Sequence, residues 1–539
     1  MQQPKAGHVN YGNLINDIEK GTIKIPQFQR EFVWTKSQSA GLVDSILKGY
    51  PIGTFILWKT RERLRSVRNI GRISLPEIPD GDFVNYVLDG QQRMTSLYAS
   101  LKGEKILRED GKEEDFSEIY INLTALEDEQ IVVTSEEKED GVYLKLTELL
   151  KMDLQMLFDN YQEHISKIQQ YYKTIETYEF STIIVEDVPI DIATEIFTRI
   201  NVGGKDLTVF EIMCAKTYDY NKEFDLAEKY DKLIKRLENV KYETISSSTV
   251  LQSVSICLVK ECSKKNILKL NKNEFINSWD SIINSFEHAV DYIRLFYRIP
   301  VSQLLPYDGL LIPFTYFFYK NNNNKPIGNM EVYLQDYFWR CVLNSRFSGS
   351  LEAKVAQDIK KVVDKILNGE IPEYEEGINI TEDNLMRSGW FSVGKAYIKG
   401  LLCILASKQP ESFINGGLVT IDNAYLKAAN SKNYHHFFPK AYLKKQGVDD
   451  AKINSIFNIT IVDDFLNKRK IKDKAPSVYM NEFKKENLNL DKTMKTHLIN
   501  DLNTFGIWTN DYDKFILERI KAMKRELESR IVIRKYDLY

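Results

Sequence analysis

The segment Val87-Leu88-Asp89-Gly90-Gln91-Gln92-Arg93-Met94-Thr95-Ser96-Leu97 carries a strand end, a turn and a helix start within eleven residues. Tyr86 to Leu88 reads as a short buried strand that delivers Asp89. Gly90 permits a tight turn, and Gln91 opens a helix running to Leu101. A helix N-terminus presents unpaired backbone N–H groups and the positive end of the dipole, which suit a phosphate. Arg93 can add a two-pronged contact to phosphate oxygens, and Asp89 could hold a magnesium ion or orient water. The same residues also fit a purely structural arrangement, with Asp89 capping the helix and Arg93 pairing with it.

Strand and helix alternate outward from this unit. Asn13 to Lys20 has helical spacing, and Ser37 to Lys48 is an amphipathic helix ended by Gly49. Thr54 to Trp58 and Phe180 to Val185 read as strands, and 190–200 and 209–218 as helices. The first 215 residues are therefore expected to be α/β. Two further segments carry chemistry. Ile25-Pro26-Gln27-Phe28-Gln29-Arg30-Glu31-Phe32-Val33-Trp34 sets amide and guanidinium groups among apolar anchors. Phe197-Thr198-Arg199-Ile200-Asn201-Val202-Gly203-Gly204-Lys205 joins a helix end, a glycine-rich turn and a lysine, again suited to phosphate. There is no GxxxxGK[ST], so no P-loop.

These segments, with Gly49-Tyr50-Pro51-Ile52-Gly53, resemble in order the N-terminal domain of GmrSD-type (type IV, modification-dependent) restriction proteins, a ParB/sulfiredoxin-like domain with a DGQQR pattern. The resemblance implies binding and hydrolysis of a nucleoside triphosphate (GTP, ATP or another). It implies nucleotide-binding roles for Asp89, Gly90, Gln91, Gln92 and Arg93, for Gln29 and Arg30, and for Arg199 and Asn201. Between the segments lie Lys59, Arg61, Arg63, Arg65, Arg68 and Arg72, either a solvated hairpin edge or an arm along a nucleic-acid backbone.

Composition sets the frame. The chain has 539 residues, enough for about three domains. Its 73 basic and 76 acidic residues give a net charge of −3, which excludes a uniformly basic coat protein but not a local basic site. Along the chain the charge is uneven. Residues 104–140 hold 14 acidic and 4 basic side chains, and are expected to form a solvated excursion, the alternative being a mimic of nucleic acid that covers a basic site. Residues 430–539 hold 22 basic and 15 acidic, the place to look for a polyanion. Five scattered cysteines without a CxxC support neither a disulfide framework nor a zinc ribbon, and suit a reducing, cytoplasmic setting. Met1 to Asn10 has no apolar core of the secretory kind. The run Leu310 to Tyr319 is too short to cross a bilayer and reads as a buried helix, so no membrane partner is expected.

From 216 to 415 the pattern is almost wholly helical. Its aromatic stripe (Tyr316, Phe317, Phe318, Tyr333, Tyr337, Phe338, Trp339) is expected in the core. This region, which includes Arg346-Phe347-Ser348-Gly349-Ser350, reads as a bundle between two functional domains.

Histidine is scarce, and two of the six are adjacent, in Asn433-Tyr434-His435-His436-Phe437-Phe438-Pro439-Lys440. Asn458 follows within the β-like Phe457 to Val462, then Asn467 beside Lys468, Arg469 and Lys470, then Pro476. Hydrolysing a phosphodiester needs an activated water and neutralisation of charge on the phosphate. A neutral histidine can take the proton, a divalent cation with oxygen or nitrogen ligands can handle the charge, and Lys440, Lys468, Arg469 and Lys470 suit a DNA backbone. The order resembles the HNH, or ββα-metal, nuclease fold, specifically the C-terminal domain of the same GmrSD-type proteins. That resemblance implies His436 as general base, His435 and Asn467 as ligands of Mg²⁺ or Mn²⁺, and Asn458 as an asparagine that orients the base.

The expectation is an α+β multidomain chain: a ParB-like NTP-binding domain at 1–215, a helical connecting domain at 216–415 and an HNH domain at 416–539. The expected function is anti-phage defence by NTP-dependent cleavage of double-stranded, foreign or modified DNA. A homo-oligomer or a partner from the same defence system stays open. So do a sensor whose HNH domain binds without cleaving, and an N-terminal domain that binds without hydrolysing.

Overall fold

The computed structural model describes residues 3–26, 32–62, 64, 69–70, 73–74, 76, 78–79, 81–107, 113–126, 129–200, 208–219, 222–423, 434–462 and 471–539. It is a mixed α and β chain that divides into two compact units, Met1–Leu226 and Ala227–Tyr539.

The first unit is built on strands β1 (Lys5–Asn10), β2 (Ile23–Lys24), β3 (Phe55–Thr60), the short pair β4 (Asn69–Ile70) and β5 (Ile73–Ser74), β6 (Val84–Asp89), the pair β7 (Lys105–Leu107) and β8 (Glu113–Asp115), β9 (Ile119–Asn122), β10 (Val132–Thr134), β11 (Tyr143–Lys145) and β12 (Glu179–Glu186). The central sheet runs β1-β12-β3-β6-β2. It is mixed: β12 runs parallel to β3 and β2 to β6, while β3 and β6 are antiparallel. Alternation along the strands serves two cores. Leu57, Val87, Phe55 and Phe180 pack with Val43, Leu97 and Ile168 from helices Lys36–Leu47, Gln91–Lys102 and Ile165–Thr177. Trp58, Tyr86, Leu88 and Val185 pack with Ala193 and Ala215 of helices Ile190–Ile200 and Val209–Thr217. Helices thus cover both faces of the sheet, which is why strand and helix alternate in the sequence.

The acidic stretch is more than a solvated excursion. It contains β9 and β10 of a three-stranded sheet, β10-β9-β11, and buries Phe116, Ile119, Ile121 and Val132 completely. Asp44 accepts the backbone N–H groups of Ile131 (2.6 Å) and Val132 (3.0 Å). The acids stay on the outside, where Glu118 lies 2.8 Å from Lys36 and Glu137 accepts from Ser37 at 2.6 Å. Alternation separates charge from core here, so net charge alone misreads the segment. In the basic arm, Lys59 pairs with Glu186 at 2.7 Å, and Lys59 and Arg61 lie over the Phe83 ring. Arg63, Arg65, Arg68 and Arg72 lie outside the described residues.

The second unit is mostly helical. Tyr316, Phe317, Phe318, Tyr337, Phe338 and Trp339 are buried as expected, with Tyr333 half-buried. Its one ribbon among the described residues pairs β13 (Tyr434–His436) antiparallel to β14 (Ile459–Ile461), with His435 opposite Thr460 and His436 opposite Ile459. A helix with Pro476 in its first turn, Pro476–Glu486, follows, and Tyr512–Glu528 packs nearby. The C-terminal residues fold back onto the helix Asn329–Leu343. Arg340 holds Asp537 through both carboxylate oxygens (3.0 and 2.7 Å) and Asp336 through Nε (2.9 Å), all buried. No described helix is long and apolar enough to cross a membrane.

Candidate functional sites

In the first unit, sheet pairing gathers segments that are distant in sequence. β6 ends at Asp89, Gly90 turns the chain with φ +93°, and the helix Gln91–Lys102 begins with no side-chain cap. A side chain at Gly90 would collide with Phe55, 2.6 Å from the position a Cβ would take. Arg93 donates to the carbonyls of Ile52 (2.7 Å) and Thr54 (3.1 Å) and to Asp89 Oδ2 (3.1 Å). Its guanidinium fills the space beside Gly53, whose φ is +87°. Gln92 Oε1 accepts from the backbone N–H of Val33 at 2.8 Å, and Gln92 Nε2 donates to Gln91 Oε1. Three of the four quoted segments therefore meet at the start of this helix. The Asp89–Arg93 pair of the simple structural reading is present, but Asp89 does not cap the helix. Arg199 is exposed and pairs with Glu195 on its own helix at 2.6 Å. Gln29, Arg30 and Asn201 lie outside the described residues.

In the second unit the adjacent histidines share a strand, so they face opposite sides of the ribbon. His435 is buried, 4% exposed, and His436 is half-buried. His436 Nε2 lies 3.1 Å from Oδ1 of Asn454, and its ring meets Phe391 edge-on at 6.3 Å. Asn454 is tied to Phe391 twice: its Nδ2 donates to the Phe391 carbonyl (3.0 Å) and its own carbonyl accepts the Phe391 N–H (2.8 Å). Burial pushes the His436 imidazole down to about 4; the Lys440 charge acts the same way and the Asn454 hydrogen bond opposes them. The ring is neutral at pH 7 and able to take a proton, and an anionic phosphate beside it would raise its basicity.

Asn458 does not touch either imidazole through a hydrogen bond. Fully buried, it accepts the Phe438 N–H (2.8 Å) and donates to the carbonyls of Phe438 (3.0 Å) and Ile453 (3.2 Å). It fixes the chain that follows His436 to the chain that precedes β14. Below it, Phe437 stacks on Phe515 at 4.9 Å, and the Tyr479 hydroxyl donates to the Phe437 carbonyl. Arg519, fully buried, donates to the carbonyls of Ile459 and His497. Lys440 is exposed at the start of helix Lys440–Lys445. Asn467, Lys468, Arg469 and Lys470 lie outside the described residues, and among those described no three His, Cys, Asp or Glu side chains form a metal-sized cluster. Sequence reasoning missed Asn454. Its only signal is a polar residue four places before Asn458, which nothing in the spacing singles out.

Residues 11–218 match the family model for the GmrSD restriction endonuclease N-terminal domain. The match spans four of the five strands of the central sheet, all but β1, and the Asp89–Arg93 turn. Its domain name supports DNA as substrate class and endonuclease as activity class for the chain. Over nearly its whole length, 98% of each protein, the chain is also similar to an uncharacterized protein of Methanocaldococcus jannaschii, at 26% identity. The similarity to that archaeal protein extends through the second unit, beyond the GmrSD-type domain.

Proposed function

We propose that the chain is an NTP-dependent, metal-requiring DNA endonuclease of anti-phage defence, acting in the cytoplasm on double-stranded, foreign or modified DNA. In this reading the second unit is an HNH-type nuclease and the first binds and hydrolyses the nucleotide that gates it. The observation that carries the reading is His436: a neutral, hydrogen-bonded imidazole at the end of an antiparallel ribbon, four residues before an exposed lysine, in a chain whose first unit matches a restriction endonuclease domain. His436 takes the proton of the attacking water. Asn458 and Tyr479 hold the backbone that carries it. Lys440, with Lys468, Arg469 and Lys470, attracts the phosphate backbone.

A divalent ion fits the donor types, an imidazole nitrogen of His435 and an amide oxygen of Asn467 with phosphate oxygens. His435 faces away from His436 on the strand, so ligand and base are separate groups. Bound there, Mg²⁺ or Mn²⁺ would neutralise charge on the phosphate. Asp89, Gly90, Gln91, Gln92 and Arg93, joined by Gln29, Arg30, Arg199 and Asn201, form the nucleotide site in this reading.

The test is nicking of phage DNA by purified protein with Mg²⁺ or Mn²⁺ and each nucleoside triphosphate. Wild type should cleave, and His436→Ala should lose about 10²–10⁴-fold in rate. Equal, negligible nicking by both removes the nuclease. A second reading has its own support: Arg93 is already committed to Ile52, Thr54 and Asp89, which suits a first unit that binds without hydrolysing. Phosphate release by wild type, Asp89→Ala and Arg93→Ala separates the two, and equal rates favour binding alone.

A further inference from the structure

We infer that Asn454 is a positioning residue that fixes the tautomer of His436, leaving Nδ1 as the nitrogen that accepts a proton. The inference follows from hydrogen-bond polarity. The Phe391 carbonyl lies 3.0 Å from the Asn454 amide and can only accept, so the amide nitrogen must face it. The amide oxygen then faces His436 Nε2 at 3.1 Å, and it too can only accept. Nε2 must therefore carry the hydrogen. Flipping the amide would set oxygen against the Phe391 carbonyl, and moving the imidazole hydrogen would set lone pair against lone pair at Nε2. The flip is further resisted because the Phe391 N–H is held by the Asn454 carbonyl at 2.8 Å, which fixes the distance between the two chain segments. Nδ1 makes no hydrogen bond to a described residue and is left for water. The proton moves from that water to Nδ1, the hydroxide forms a bond to phosphorus, the bond from phosphorus to the leaving sugar oxygen breaks, and that oxygen takes a proton from solvent water. Nε2 keeps its hydrogen and donates it to Asn454 Oδ1 throughout. Only this last step rests on the nuclease reading; the tautomer does not.

The full-length protein, labelled with ¹⁵N-histidine, reports the tautomer directly through long-range ¹H–¹⁵N correlation at pH 7, with His436→Gln assigning the signal. Wild type should show His436 as the Nε2–H form. Asn454→Asp retains an acceptor and should retain that form, while Asn454→Leu should give a mixture. A wild-type Nδ1–H form, or a Leu variant identical to wild type, overturns the inference. On DNA, Asn454→Leu should lower kcat by roughly ten- to a hundredfold with KM unchanged, as expected for a group behind the reacting one, and Asn454→Asp should recover part of it. If wild type cuts no DNA, the nuclease reading fails while the spectrum still decides the tautomer.

Discussion

Asn454 and Asn458 are four residues apart and both touch the His436 region, yet their amides do different work. Asn458 is completely buried, with its oxygen and nitrogen paired only to backbone groups. Asn458→Ala strands the Phe438 N–H and two carbonyls, and unmatched buried polar groups cost about 1–3 kcal/mol each. The expected result is a fall in melting temperature that accounts for any fall in activity, read by thermal unfolding beside nicking. His497 gives a pH-dependent prediction. Burial and, less strongly, the Arg519 charge push its imidazole from the usual 6.5 down to about 4, against the hydrogen bond to the Glu411 carbonyl. Between these values the unfolded chain binds a proton that the folded chain does not, so stability falls as pH drops from 6.5 towards 4. At 2% exposure this amounts to on the order of 3 kcal/mol. Melting temperatures across that range should decline less steeply in His497→Gln; an equally steep decline removes His497 as the cause. The sequence showed the adjacent histidines and the spaced asparagines because residue type and order are visible in it. It did not show which amide reaches which ring, because that depends on where Phe391 arrives.

Most elements were legible where one periodicity ruled. The expected helix from Gln91 to Leu101 is Gln91–Lys102, and the expected strand from Phe180 to Val185 is Glu179–Glu186. Both have an apolar pattern that only one geometry can bury. β9 and β10 were not legible, because their inward residues sit among acids and local charge masks the alternation. β13 escaped because three residues make no pattern; its partner β14 defines it. The turn between β6 and its helix is the element most sensitive to a single atom. At Gly90 φ is +93° and a Cβ would press on the Phe55 ring, so Gly90→Ala combines backbone strain with a clash. Strain of this kind costs about 1–3 kcal/mol. The first unit should lose about that much stability, read as an earlier melting transition by calorimetry; if it is the proposed nucleotide site, nucleotide affinity should also fall at temperatures where it is still folded.

At the scale of the chain, the second unit is fastened by a cluster of buried charge. Arg340 lies between Asp336 and Asp537, and Arg534 reaches Asp336 from the same tail. Burial holds the Asp336 carboxyl above its usual range; hydrogen bonds from Arg340, Ile378 and Arg534 overcome burial and hold Asp537 below it. Removing one partner of such a group costs about 3–5 kcal/mol, because the remaining charge stays buried. Asp537→Ala should therefore destabilise the second unit by that amount in denaturant unfolding, and Asp537→Asn by less. The cluster also sets an order of events during synthesis. Arg340 leaves the ribosome 197 residues ahead of Asp537. At the usual rate of translation this is a wait of about 10–40 s. Through that interval Arg340 keeps Asp336 on its own helix but lacks the carboxylate that holds two of its nitrogens, so this charge cluster closes last, and a ribosome that stalls early releases a chain whose second unit is left unfastened.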